Sequence, residues 1–156
     1  MAELIRQVGG ITLVRTDGKR IDLSFFDDVG PISWGHFWVL KNGLYGYMNE
    51  LGILICVPKY DYADDFDCSG HATVGIKDKF GIIDYRGQEI CHLIYDEIYN
   101  FRNNYAKVVR DGQVMFMDKY GLEVQYYIVE KLQKARTWYE TPEYQNALER
   151  FKNECK

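Results

Sequence analysis

Apolar and polar positions alternate along this chain in short runs, and the runs recur. Over residues 72–77, Ala72, Val74 and Ile76 share one face of a strand while Thr73, Gly75 and Lys77 share the other. Equivalent runs stand at 37–41 and 106–110. Each is followed by another strand run, at 45–48, 80–83 and 114–117, and preceded by a third, at 20–23, 54–57 and 89–93. The turns between the first two kinds of run contain Asn42-Gly43, Asp78 and Asp111-Gly112, and Asn-Gly and Asp-Gly pairs are strong hairpin signals. The run after each hairpin ends in an Asx-x-x-Gly group: Asn49 to Gly52, Asp84 to Gly87, Asp118 to Gly121. There the Asx side chain can hold backbone N–H groups while the glycine takes a positive φ to close a bulged turn.

These matches define an internal repeat of about 35 residues with units at 18–51, 52–86 and 87–120, and a partial unit before residue 18. Pro58-Lys-Tyr60-Asp61 returns as Leu93-Ile-Tyr95-Asp96, and Ala72-Thr-Val74 as Ala106-Lys-Val108. Phe25 falls at the position of Tyr60 and Tyr95 in this register. Each unit reads as three antiparallel strands with a longer link. One such unit cannot bury its apolar face alone, so neighbouring units must stack to form the core.

After Gly121 the period changes. Ile128, Leu132, Ala135 and Tyr139 recur at helical spacing, and Thr141-Pro142-Glu143 supplies a cap, a first-turn proline and a first-turn acid. Tyr144, Ala147, Leu148, Phe151 and Cys155 would line one face of the next helix. The expected fold is therefore mainly β, a repeat array over 1–125 of tandem three-stranded units, with a C-terminal α-helical pair over 126–156 as its cap.

The repeat resembles the WG-type (KWG) β-repeat found in bacterial proteins. Lys79-Phe80-Gly81-Ile82-Ile83-Asp84 and Gly87 match the hairpin end of that pattern, and Val57-Pro58 through Tyr60-Asp61 to Phe66, Gly70, Ala72 and Val74 match the rest. The signature tryptophan is replaced by Tyr45, Phe80 and Val114, and the glycine after it becomes Met115 in the last unit. The literal Trp34-Gly35 pair sits elsewhere in the register. The resemblance covers about residues 12–121 and implies an interaction module with no shared catalytic residues.

Composition adds little to this and removes some options. The 156 residues suit one domain, and a net charge of −4 lacks the basic stripe of a nucleic-acid binder. No run approaches the ~18 apolar residues of a membrane span. The N-terminus has no signal-peptide core, so the chain is expected in the cytoplasm. Cys56, Cys68, Cys91 and Cys155 lack paired spacing for zinc and read as reduced thiols. The acidic run 61–67 lacks the calcium-loop pattern, and no glycine group forms a phosphate loop. No catalytic residue, metal site or cofactor is expected.

The aromatics carry the one positive indication. Trp34, His36 and Trp38 gather in the first unit where the second has Ser69, His71 and Thr73. Trp38 should point away from the face of Phe37 and Val39, as an exposed anchor unless another part of the chain covers it. These three residues are the candidate binding site for a protein partner, with neither nucleic acid nor membrane expected. The expected function is a non-catalytic protein–protein interaction module. An immunity-type inhibitor of a toxin domain, and an enzyme with an acidic or aromatic cleft, are the alternatives.

Overall fold

The computed structural model describes residues 1–124 and Pro142. The helical pair expected over 126–156 lies outside the described residues. Within them the chain builds four antiparallel sheets in succession. The first contains β1 (Glu3–Gln7), β2 (Gly10–Val14) and β3 (Arg20–Asp22). The second contains β4 (Asp28–Val29), β5 (His36–Lys41), β6 (Leu44–Asn49) and β7 (Leu54–Tyr60). The third repeats that plan in β8 (Tyr62–Ala63), β9 (His71–Ile76), β10 (Lys79–Asp84) and β11 (Glu89–Tyr95). The fourth has β12 (Glu97–Ile98), β13 (Tyr105–Arg110), β14 (Gln113–Asp118) and β15 (Glu123–Val124).

This corrects the expected three-stranded unit in two respects. Each later sheet gains a two-residue strand inside the predicted link. The strand after each bulged glycine also closes the sheet of the hairpin before it, as β7 does on β6. The sheet boundaries therefore fall at Asp61 and Asp96, not at the glycines. The partial first unit is a complete three-stranded sheet lacking only that short strand, because β1 pairs with β2 through a turn at Val8-Gly9.

The two kinds of turn form as their residues dictate. Both central residues of each hairpin turn take positive φ: Asn42 and Gly43 at 51° and 78°, Lys77 and Asp78 at 50° and 61°, Asp111 and Gly112 at 50° and 76°. That geometry matches the twist of the flanking strands. At the bulged turns Asn49, Asp84 and Asp118 each accept two backbone N–H groups, at 2.9–3.0 Å. A third device uses the residue at the end of each sheet. The carboxylates of Asp27, Asp61 and Asp96 accept the N–H of Asn42, Lys77 and Asp111, tying each sheet's entry to its own hairpin turn. This places Phe26, which precedes Asp27, in register with Tyr60 and Tyr95. Phe25, assigned there from the sequence, is an exposed neighbour.

The core is divided between consecutive sheets. Leu13, Phe37, Val39 and Met48 join the first sheet to the second. Tyr47, Tyr60, Phe66, Val74 and Ile83 join the second to the third. Ile82, Tyr95, Val108 and Met117 join the third to the fourth. Polar ties repeat at the same joints: the Tyr60 hydroxyl donates to Glu89 and the Tyr95 hydroxyl to Glu123, each at 2.7 Å. Burial pushes both phenols up from their ordinary range, and the carboxylate each one faces adds to the shift.

Candidate functional site

The expected site residues lie on one hairpin that leads into β5. Ser33 and His36 exchange backbone hydrogen bonds of 2.7 and 3.1 Å around Trp34 and Gly35, whose φ values are 51° and 77°. A bulky aromatic at positive φ is a conformational outlier, since its Cβ crowds the backbone. The corresponding positions in the next two units carry small or polar residues, Ser69-Gly70 and Asn103-Asn104. Trp34 is nevertheless 67% exposed, so burial returns little for that strain.

Hydrogen bonds hold the tip against its surroundings. The Ser33 hydroxyl donates to the carbonyl of Phe66 at 2.8 Å, and Glu50 N–H donates to the carbonyl of Gly35 at 2.8 Å. His36 places Nδ1 2.9 Å from the Trp34 carbonyl oxygen and Nε2 3.1 Å from that of Tyr85. These ties hold the backbones of Glu50 and Tyr85 to the tip, and on the same segments Leu51 and Tyr85 are exposed, with the Arg86 guanidinium 5.2 Å from the centre of the Tyr85 ring. Exposed Trp34, Leu51 and Tyr85 thus stand on segments hydrogen-bonded together around this tip, the Trp34 rim.

His36 and Trp38 do other work. The His36 ring stacks on Phe66 at 4.5 Å, and its counterpart His71 stacks on Phe101 at 4.6 Å. The recurring histidine is thus a spacer between consecutive sheets. Trp38 points away from Phe37 and Val39, as the alternation requires, but it is half-buried. Its ring meets Tyr45 edge-on at 5.4 Å and lies over Gly30, where any Cβ would overlap the indole. The solvent-facing tryptophan of this site is Trp34, and Trp38 belongs to the second joint. Sequence spacing could not reveal the cover, because Gly30 reaches Trp38 only through pairing of β4 with β5.

Among the described residues no three His, Cys, Asp or Glu side chains gather as a metal site. Cys56, Cys68 and Cys91 are free thiols, and burial raises that of Cys91 to about 11. Among the described residues no helix is long and apolar enough to cross a membrane.

A family model described as "WG containing repeat" matches residues 45–80 and 80–113. The two adjacent matches show what this stretch is similar to, and they span the joint between the second and third sheets. No curated protein matches the chain.

Proposed function

We propose that this chain is a non-catalytic binding module that engages a protein partner through the Trp34 rim. The observation that carries this is Trp34 itself. An exposed indole held at positive φ costs stability, and a ring presented rigidly at low entropic cost is what a binding hot spot needs. WG-type repeats, as interaction modules, fit the same reading, with the joints as scaffold and the variable tips as the contact surface. The free thiols suit a reducing compartment such as the cytoplasm.

Replacing Trp34 by Asn tests this directly, because Asn tolerates the left-handed conformation. The thermal midpoint should stay level or rise slightly. Affinity for a partner, captured from the native host and then purified, should fall at least about tenfold, the loss expected of a hot-spot tryptophan. Unchanged affinity would remove Trp34 from the contact surface. A drop in midpoint would assign it to the fold instead.

A further inference from the structure

Aligning the sheets by their pairing shows a correlated exchange at one pair of positions. The N–H groups of Gly30, Asp64 and Tyr99 donate to the carbonyls of Trp38, Thr73 and Lys107 respectively, so these three pairs are equivalent. In the second sheet a large ring lies over a residue with no side chain. In the third, Thr73 is small and Asp64 stands where the glycine was. In the fourth, the Lys107 ammonium sits 4.7 Å from the centre of the Tyr99 ring.

The exchange at Thr73 leaves a groove of about 310 Å3 between the third and fourth sheets where the second sheet carries its indole. Its walls include Tyr62, Phe80 and Tyr99, with Tyr62 and Phe80 in edge-to-face contact at 5.2 Å. Asp64, Asp96 and Glu97 also line it. Lys79 pairs with Asp96, which leaves the charges of Asp64 and Glu97 without a cationic partner among the described residues. Each accepts one phenolic hydrogen bond, from Tyr62 at 2.9 Å and Tyr99 at 2.6 Å, and a carboxylate has room for more.

Aromatic faces beside two carboxylates suit a flat cation that stacks and donates in a fork. Lys107 already shows the Tyr99 ring taking a cation from the fourth sheet's side. We infer that this groove receives an arginine side chain of the protein partner, its guanidinium against the rings and its N–H groups on Asp64 and Glu97. The inference rests on the reading of the chain as a binding module and names the chemistry of what is bound. Arginine is favoured over lysine because a compact ammonium neither stacks nor bonds in a fork.

The test is an NMR titration of the full chain with arginine amide, using citrulline amide as the neutral isostere. Arginine amide should shift the amide signals of Tyr62, Thr73 and Tyr99 at millimolar concentration, and citrulline amide should leave them in place. Asp64→Asn should weaken the response at least fivefold. The double variant D64G/T73W rebuilds the filled arrangement of the second sheet and should abolish it, with other signals unmoved. Equal response to both amides, shifts spread over unrelated surface carboxylates, or a full response in either variant would overturn the inference. Trp34→Asn separates the two proposals. It should leave the arginine response intact, so loss of one result does not carry the other with it.

Discussion

At the scale of single residues, the glycines closing the bulged turns meet two independent demands. Gly87 has a φ of 78°, and a Cβ there would run into the carbonyl of Ile55 on the preceding sheet. Gly121 stands in the same relation to Ile90. Gly43 shares the conformation, at 78°, but has nothing around it. Gly43→Ala should therefore cost only the conformational term, about 1–2 kcal/mol. Gly87→Ala must also push two sheets apart, adding about 1–3 kcal/mol of overpacking. Urea denaturation of the two variants checks this, and equal losses would show that the backbones separate freely. The turn chemistry was legible in the sequence because Asx-x-x-Gly acts within five residues. The second demand was not, because it depends on which strand of the preceding sheet lies beneath.

At the scale of elements, the Asp27 and Asp96 carboxylates, which tie their sheets' entries to the hairpin turns, make the fold sensitive to acid. The amide of Asn42 beside Asp27 and the Lys79 ammonium beside Asp96 hold both carboxyl groups below the usual range. A folded value below the unfolded one, near 4, stabilises the fold above that pH and loses this contribution as pH falls through the folded value. The Asp27→Asn, Asp96→Asn double variant should therefore lose less of its urea midpoint than the parent between pH 6 and pH 3. Parallel losses would show that other carboxylates govern acid unfolding. Alternating positions revealed the long strands, including the opposite orientations of Phe37 and Trp38. They could not reveal β4, β8 and β12, because two residues carry no measurable period. Nor could they phase the sheets, since a repeat can be cut at any point of its cycle without changing its period.

At the scale of the whole molecule, the described residues form a stack in which every core is shared by two consecutive sheets. The candidate site follows from departures within that regular plan. Trp34 and Trp38 were visible as a concentration of aromatics, yet only the pairing of β4 with β5 separated the exposed ring from the half-buried one. The Asp64 and Thr73 exchange stayed hidden because its two members meet across a hydrogen-bonded strand pair. The position of the sheet boundaries has one further consequence. Residues 62–96 begin and end at matching places, each closing on the aspartate that secures the next hairpin. Tandem duplication of that segment creates a joint of the third sheet on its own copy, with Tyr95 facing a second Glu89. The lengthened protein should fold with a steeper urea transition, since the slope tracks the surface exposed on unfolding. A gene encoding this chain could thus grow by one cassette at a time, adding a fresh tip and a fresh groove with each copy.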